Sequence, residues 1–364
     1  MRGILFITRK WRGRGGMQQW SRDFWSEMQE QYRGQAALCA LQSFWDFPLF
    51  LLCVLIRGGI AVLRGWHIHL GDCALLPLGW IFAMFGASVS VTAHGLDVLY
   101  PRRWYQRMFH CMFKRAKKIA CVSRATATQV YARGGKEGQV VVIPCGIRGS
   151  GIGHRTSDIG PRASAKISLF RSPNPAVRIP NPKVQSPRLL SVCRLIPRKG
   201  IAWFTAEVVM LLKQEFPLME YMIVGTGPEE KLIKKIVQER GLEDTVHRVG
   251  DLSDPSRDML YRACDVLVVP NVPVPGDMEG FGIVCIEAAS WGLPVAAAKI
   301  EGIADAVFPG VTGAFFDPGD VSSAAAAIRQ ILSHPLDRGK ILEAARAHFS
   351  WRTLFLRYQH EVFS

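Results

Sequence analysis

The stretch Glu279-Gly-Phe-Gly-Ile-Val-Cys-Ile-Glu287, which continues to Ala297 as AASWGLPVAA, carries the strongest structural signal in the chain. Its glycines precede an apolar run, which predicts a glycine-bearing loop entering a helix. Gly280 and Gly282 let a ligand approach the backbone, and the free amides of a helix start favour a diphosphate. If all intervening residues were helical, the two carboxylates would lie about 12 Å apart along the axis. The alternative is a solvated helix with two acids, but Glu287 sits inside an apolar run.

Outward from this stretch, short apolar runs alternate with helical patterns in two halves of the chain. Runs that are apolar at consecutive positions are typical of parallel strands buried on both faces. The pattern predicts an α/β fold with two Rossmann-like domains. Helices are predicted over residues 229–241 and 321–332. Strands are predicted over residues 4–8, 89–93, 119–122, 140–143, 188–192, 221–224, 266–269 and 294–297.

Residues 149–187 separate the two halves and are rich in Gly, Ser, Pro, Asn and Arg, with little apolar periodicity. Such a composition predicts an irregular linker or surface excursion. We therefore place the first domain at residues 1–180 and the second at residues 187–345. Residues 346–364 carry apolar side chains at helical spacing and form a C-terminal helix in this prediction.

Composition limits the classes of function. The chain has 364 residues, 49% hydrophobic and 21% charged, with a formal net charge of +15. This balance predicts an anionic partner: nucleic acid, a membrane surface or a phosphorylated substrate. No helix-turn-helix, aromatic RNA-binding or zinc-finger signature is present, so a nucleic-acid partner is not expected. The nine cysteines form no C-x-x-C pair, which favours reduced thiols in a cytoplasmic protein over disulfides or a zinc site.

Three loops after predicted strands carry further candidates. Arg194 and Lys199 lie five positions apart on a strand-to-helix loop, where two fixed cations can neutralise a diphosphate and its growing charge as a leaving group. Ordinary surface charge is the alternative. Gly15 and Gly16 allow close backbone approach after the first strand. His94 follows the strand at 89–93, where a histidine on its own is more often structural.

These segments, taken in order, resemble family 4 retaining glycosyltransferases, which adopt the GT-B fold. The spacing of Glu279 and Glu287 within EGFGIVCIEAASWGLPVAA is similar to that family's E-x7-E signature. Other matching segments are GGMQ from Gly15, VTAHGLDV around His94, IACVSRATATQVYARG, VVIPCGI, SVCRLIPRKG, YMIVGTGPEEKLI and GVTGAFFDPGD. The resemblance covers nearly the whole chain except residues 149–187.

The resemblance implies a role for each matching residue in a cleft between two Rossmann-like domains. The nucleotide sugar lies mostly in the second domain and the acceptor in the first, and the last helix crosses back onto the first domain. The implied catalytic residues are His94, which hydrogen-bonds the transferred sugar, with Arg194, Lys199 and Glu279. The implied donor-binding residues are Gly15, Gly16, Arg194, Lys199, Gly280, Phe281, Gly282 and Glu287, and Asp97 orients the acceptor.

The implied reaction needs no cofactor beyond its nucleotide-sugar substrate, with UDP or GDP as the nucleotide. No D-x-D motif is present, and Arg194 and Lys199 stand where such carboxylates would hold a metal ion, which favours a metal-independent reaction. CRLIPRKG and MEGFGIVCIEA are similar to phosphatidylinositol mannosyltransferases. A mannose- or glucose-type sugar and a lipid-linked or polysaccharide acceptor are therefore expected. A catalytically silent GT-B subunit and a GT-B nucleotide-sugar epimerase remain as alternatives.

Residues 102–118 contain seven Lys and Arg and no acid. As one helix they would place a basic face opposite an apolar one, which suits an anionic membrane surface; a helix docked on its own sheet is an equal alternative. The apolar run at 44–56 is shorter than the roughly 20 residues that span a bilayer, and predicts a buried or interfacial helix. Together these features predict a cytoplasmic enzyme, peripheral on the inner face of the plasma membrane.

Overall fold

In the computed structural model, residues 3–13, 15–147 and 186–364 are described. Almost all of the predicted linker, residues 149–187, lies outside them. The described chain forms two parallel six-stranded sheets, each covered by helices. Both sheets are doubly wound, as the apolar runs predict.

The first sheet has the strand order β2-β1-β3-β4-β5-β6. The chain reverses its winding direction at β1, so the loops after β1 and β3 open the crevice where ligands bind in such sheets. The strands are β1 Ile4–Thr8, β2 Ala36–Ala40, β3 His67–Leu70, β4 Val89–Ala93, β5 Lys118–Cys121 and β6 Val140–Val142. The helices are α1 Gly16–Gln31, α2 Phe47–Leu63, α3 Leu76–Met84, α4 Leu96–Leu99, α5 Arg103–Met112 and α6 Arg124–Tyr131.

The second sheet has the order β12-β11-β10-β7-β8-β9, with its switch point between β7 and β10. Its strands are β7 Arg188–Val192, β8 Glu220–Val224, β9 Val246–Gly250, β10 Val266–Val269, β11 Val295–Ala298 and β12 Gly313–Phe316. Its helices are α7 Ile201–Trp203, α8 Val209–Glu215, α9 Glu230–Glu239, α10 Asp254–Ala263, α11 Ile283–Ser290, α12 Val321–Ser333 and α13 Arg338–Phe349. A π-helical turn at Phe204–Val208 joins α7 to α8.

The chain ends in helix α14, Trp351–Arg357, which packs on the first sheet's side of the molecule. Trp351 meets Phe24 of α1 edge-on at a ring-centroid distance of 6.0 Å, and Phe355 packs against the same ring at a tilt, at 5.5 Å. Tyr358 reaches the first sheet itself, where its hydroxyl lies 3.2 Å from that of Thr92. One aromatic cluster thus ties the end of the chain to its first helix.

The structure corrects the prediction of one basic helix over residues 102–118. Helix α5 ends at Met112, and a 3-10 turn covers Phe113–Arg115. Lys118 already belongs to β5 and donates to the carbonyl of Gly138. The helix stops because the chain must enter a buried strand, and tertiary pairing outweighs helical periodicity there. The basic residues remain largely exposed.

Strands β2, β3, β9 and β12 are not among the strands that the apolar runs predict, and in β3 histidines alternate with apolar residues. β2 and β9 are only partly buried and β12 lies at a sheet edge. Strands of this kind lack the continuous apolar run used to find the others.

Gly200 provides a test of how tightly the second domain's loops pack. It is left-handed, with φ 65°, and a Cβ placed on it would lie 1.9 Å from the carbonyl oxygen of Pro270. Gly241 has a similar φ of 59° but open space around it. We expect Gly241→Ala to cost about 1 kcal/mol of unfolding free energy and Gly200→Ala at least about 2 kcal/mol more, because backbone must also move. Urea denaturation measures both; equal losses would contradict this packing.

Candidate functional site

The candidate site lies where loops from the switch points of the two sheets face each other. The second domain contributes the loops after β7 and β10, and the first contributes those after β1, β3 and β4. A Cβ placed on Gly280 would lie 2.0 Å from the carbonyl oxygen of His94. The backbones of the two domains therefore touch at this point, which only glycine permits.

The loop after β7 carries two cations, Arg198 and Lys199. They lie in a half-buried charge cluster with Asp277, Glu279 and Asn271. Lys199 forms an ion pair with the Oε2 of Glu279. Arg198 Nη1 lies 2.5 Å from the same oxygen, and its Nε lies 3.0 Å from Asp277. Asn271, which follows β10, donates to Glu279 at 3.0 Å. The loops after β7 and β10 are thus joined through one carboxylate.

These partners decide the charge state of Glu279. Burial alone would raise its pKa, but the charges of Lys199 and Arg198, with hydrogen bonds from Lys199 and Asn271, lower the pKa to about 2. The carboxylate is therefore ionised throughout the neutral range and is a weak base. It is suited to accepting hydrogen bonds and holding cations, not to taking up a proton.

Sequence reasoning named Arg194 and Lys199 but missed Arg198. Arg194 is exposed and has no ion-pair partner within the described ranges. Arg198 is only 8% exposed and joins Asp277 to Glu279. The available signal was its position directly before Lys199, but neighbouring residues give no indication of which cation turns inward.

Gly280, Phe281 and Gly282 form the loop that leads into α11, which begins at Ile283. Residues 279–282 are therefore not helical, and the conditional 12 Å separation of the two carboxylates does not apply. Gly282 has φ 87°, a left-handed conformation that glycine adopts without strain. Phe281 is buried against Phe349 of α13. The free amides of α11 thus open next to the charge cluster and can bind an anion.

Glu287 lies one turn from the end of α11 and belongs to a different environment. Its carboxylate accepts a hydrogen bond from the buried Tyr261 hydroxyl at 2.9 Å. Burial raises the pKa of Glu287, and the charge of Arg257 partly offsets this. The pKa values of the two glutamates of the E-x7-E pattern thus shift in opposite directions, that of Glu279 down and that of Glu287 up.

Glu301 is a site residue that sequence reasoning missed. Within the described ranges it is the one non-glycine residue with positive φ, at 48°. Its carboxylate accepts the backbone amide of Glu279 at 2.5 Å, and the amide of Gly302 donates to the Glu279 carbonyl at 3.1 Å. These two bonds hold the Glu279 peptide on both sides. A side-chain pattern does not reveal a left-handed residue, so no sequence signal was available.

On the first domain, the glycine pair lies against α11. Gly15 caps α1 and Gly16 begins it, and a Cβ placed on Gly16 would lie 3.1 Å from Cδ1 of Ile283. Upstream in the same loop, Arg9 donates to the buried carboxylate of Asp72 at 2.8 Å. The loop after β1 is thereby anchored to the loop after β3.

His94 and Asp97 occupy the turn after β4. The Nε2 of His94 lies 3.0 Å from the carbonyl oxygen of Gly71, and its ring meets Trp20 edge-on at 4.8 Å. Asp97 accepts the backbone amides of His94 at 2.8 Å and Cys73 at 3.0 Å. Both carboxylate oxygens thus hold backbone, so the contacts of Asp97 are structural and give no support to its predicted role toward the acceptor.

Asp305 links the two domains. Its carboxylate accepts the backbone amide of Arg124 at 2.6 Å and the Nε of the same residue at 2.5 Å. The contact sits at the start of α6, where a negative charge is favourable. No group of three or more His, Cys, Asp or Glu side chains placed to hold a metal ion occurs in the described part of the chain.

The chain is similar to known sugar-transferring proteins. Residues 176–348 match the family model described as glycosyl transferases group 1. The amylovoran biosynthesis glycosyltransferase AmsK of Erwinia amylovora is 32% identical over 161 residues, 44% of this chain and 39% of that protein. The 2-deoxystreptamine glucosyltransferase of Streptomyces kanamyceticus is 26% identical over 86% of this chain and 79% of that protein. The chain spans less than half the length of AmsK and of sulfoquinovosyl transferase SQD2 of Arabidopsis thaliana.

Solved structures share the whole architecture. Anabaena Alr3699/HepE, in complex with UDP, aligns with a TM-score of 0.72 at 21% identity, over 98% of each chain. Sucrose-phosphate synthase from Thermosynechococcus elongatus aligns with a TM-score of 0.69 at 20% identity, over 99% and 98% of the two chains. The fold is therefore GT-B, with two Rossmann-like domains facing across a cleft.

The two glutamates offer a matched test of the charge cluster. Glu279→Gln leaves Lys199 and Arg198 without their shared countercharge, so we expect the unfolding free energy at pH 7 to fall by about 3 kcal/mol. Glu287→Gln keeps an acceptor for Tyr261 at a position where burial disfavours charge, so its loss should stay under about 1 kcal/mol. Urea denaturation of both variants makes the comparison, and equal losses would contradict it.

The lowered pKa of Glu279 predicts that the stability of the protein depends on pH. The pKa of Glu279 is lowered in the fold, so its contribution is present above the unfolded pKa, about 4.3, and disappears as the pH falls toward 2. Wild-type melting temperature should therefore fall more steeply between about pH 5 and pH 3 than that of Glu279→Gln. Parallel slopes in thermal melts would contradict the lowered pKa.

Proposed function

We propose that the chain is a retaining glycosyltransferase that moves a mannose- or glucose-type sugar from a UDP- or GDP-sugar to a hydroxyl group. The observation that carries this proposal is the pair of cations Arg198 and Lys199, which the β7 loop holds at Glu279 beside the free amides at the start of α11, with Arg194 exposed on the same loop. Cations and helix amides on facing loops are what a diphosphate needs. The match to group 1 glycosyl transferases and the UDP bound by Alr3699/HepE support it.

The diphosphate would change the partners of Lys199. In the charge cluster Lys199 is shared with Glu279, while Arg194 is exposed and unengaged among the described residues. A bound diphosphate draws both cations, and Glu279 keeps Arg198 and Asn271. Once Lys199 has turned to the diphosphate, Glu279 can accept hydrogen bonds from sugar hydroxyls. His94 lies opposite, where its backbone meets Gly280 at the contact between the domains.

The proposed reaction is the one that the resemblance to retaining glycosyltransferases implies. The bond between the anomeric carbon and the phosphate oxygen breaks, and its electron pair stays on the nucleoside diphosphate. The acceptor oxygen attacks from the same face, and its proton passes to the departing phosphate. Glu279 has a pKa of about 2, which makes it a poor base. Catalysis therefore rests on positioning and on stabilisation of the departing charge by Arg194 and Lys199.

We further propose that the acceptor is lipid-linked or a polysaccharide and binds the first domain. Names among the relatives, such as amylovoran biosynthesis glycosyltransferase and sulfoquinovosyl transferase, support this class. The enzyme would then work in the cytoplasm at the inner face of the plasma membrane. No helix in the described ranges has the length and apolar character needed to cross a bilayer.

Nucleotide binding provides the first test. A thermal-shift series with UDP, GDP and ADP and their sugars should show stabilisation by one nucleotide, about 2.7 kcal/mol at one hundred times its dissociation constant. Arg194→Ala and Lys199→Ala should lose most of that shift and reduce the transfer rate by about 10²–10³, because each removes a charge at a developing anion. Arg240→Ala, at a surface pair with Glu207, is the matched control.

Normal transfer rates in both Arg194→Ala and Lys199→Ala would refute the assignment of these cations to the diphosphate. Nucleotide binding without transfer would indicate a silent subunit.

Metal chelation provides the second test. We expect transfer activity to survive EDTA, since cations of the protein stand where a metal ion would neutralise the diphosphate. Activity is measured as nucleotide release with and without EDTA. Loss in EDTA with recovery in Mn²⁺ or Mg²⁺ would show that a metal ion takes part.

A further inference from the structure

Helix α2 has two apolar faces, and only one of them is covered. Phe50, Val54, Gly58 and Ala61 pack inward against the first sheet. The opposite face repeats every three or four residues and carries Leu49, Leu52, Ile56, Ile60 and Leu63. Leu49 is 70% exposed and Leu63 88%. A helix that is apolar on all sides is expected to be buried on all sides.

Helix α3 extends this face. A Cβ placed on Gly58 of α2 would lie 2.1 Å from the ring of Phe82, so the two helices are in direct contact. Ile81 and Met84 of α3 and Phe85, which directly follows it, are exposed, Phe85 to 72%. We call the exposed apolar side chains of α2 and α3 the outer face. Exposed apolar side chains gathered on two helices that touch mark an interaction site.

The border of the outer face is basic. Helix α5 lies next to α3, and the guanidinium of Arg115 stacks over Trp80 of α3 at 5.8 Å. Residues 102–118 contain seven Lys and Arg and no acid, and α2 adds Arg57. The one acid in residues 44–64 is Asp46, just before α2. Trp104 of α5 is exposed beside these charges. Apolar side chains edged by Lys, Arg and Trp suit the boundary between lipid headgroups and acyl chains.

We infer that the outer face inserts into the acyl boundary of an anionic membrane leaflet, with α2 and α3 lying in the membrane plane and α5 on the headgroups. The inference deepens the proposed function, since it rests on a lipid-linked acceptor and assigns the surface that meets the lipid. Charge favours this occupant over a second copy of the chain, because two copies would bring like-charged borders together. Helix α2 has 17 residues and lies along the domain, so it lies on the membrane rather than crossing it.

Vesicle binding tests the inference. Wild-type protein should sediment with phosphatidylglycerol–phosphatidylethanolamine vesicles and much less with phosphatidylcholine vesicles. The variant Leu49→Ser/Leu52→Ser/Ile56→Ser keeps every charge and every inward side chain, and should bind the anionic vesicles at least about tenfold more weakly. Arg103→Glu/Arg107→Glu should weaken binding by a similar factor at low salt. The matched control Leu218→Ser/Leu232→Ser/Met259→Ser removes three exposed apolar residues of the second domain and should bind like wild type.

Salt separates the two contributions. At about 0.5 M NaCl, where exposed charges are strongly screened, wild type should retain part of its binding and the outer-face variant should retain none. Melting temperatures confirm that each variant is folded.

Three results would overturn the inference. The first is wild-type protein that ignores anionic vesicles, and the second is an outer-face variant that binds them as wild type does. The third is a concentration-dependent dimer that the outer-face variant abolishes, which would make a second copy the occupant. Nucleotide thermal shifts on the same proteins keep this test separate: if vesicles bind as expected but no nucleotide does, the proposed function fails and the membrane surface stands.

Discussion

The carboxylate of Glu279 is the contact on which the site depends. It draws Lys199 and Arg198 from the loop after β7 and Asn271 from the end of β10 to one point. Removing a carboxylate from water costs free energy, and this arrangement is stable because the cations and the amide replace the lost solvation. A ligand that brings its own negative charge can therefore take over one of these cations without leaving a charge unpaired. The charge cluster is balanced as it stands, and the proposed diphosphate would change its partners.

Backbone contacts made possible by glycine hold this cluster against the first domain. Gly280 meets the carbonyl of His94, and Gly16 meets Ile283 at the start of α11. The ion pair of Arg124 with Asp305 adds a polar contact across the same boundary. These loop contacts accompany one buried apolar cluster that contains residues of both sheets, among them Phe6 and Leu190. The two domains are therefore joined by apolar packing as well as by loops. Glu301 has a left-handed backbone conformation, which costs conformational free energy. The hydrogen bond that its carboxylate accepts from the Glu279 amide offsets this cost.

The two sides of the first domain differ in what covers them. One side of its sheet is closed by α1 and the C-terminal aromatic cluster of Trp351, Phe355 and Tyr358. The other is closed by α2, α3 and α5, which bury an inner apolar face and leave another exposed. Sheet packing explains the inner face alone. The outer face calls for a second environment, and a membrane leaflet would place the first domain, the proposed acceptor side, next to lipid.

By itself, the sequence determined the two-domain α/β architecture and the loops that carry the site, because fully buried parallel strands produce continuous apolar runs and glycine-rich turns mark their ends. It also singled out Glu279, Lys199 and the glycines of the α11 loop as candidates, since these residues form a recognisable ordered pattern, and the structure brings Lys199 and Glu279 into contact. Only the tertiary structure showed that Arg198 turns inward while Arg194 stays exposed. It also showed that the carboxylate of Asp97 accepts backbone amides and that the carboxylate of Glu301 accepts the amide of Glu279. It alone showed that the 44–56 run belongs to a helix with an uncovered face. These features depend on which residues from distant loops meet, and local spacing along a chain carries no information about that.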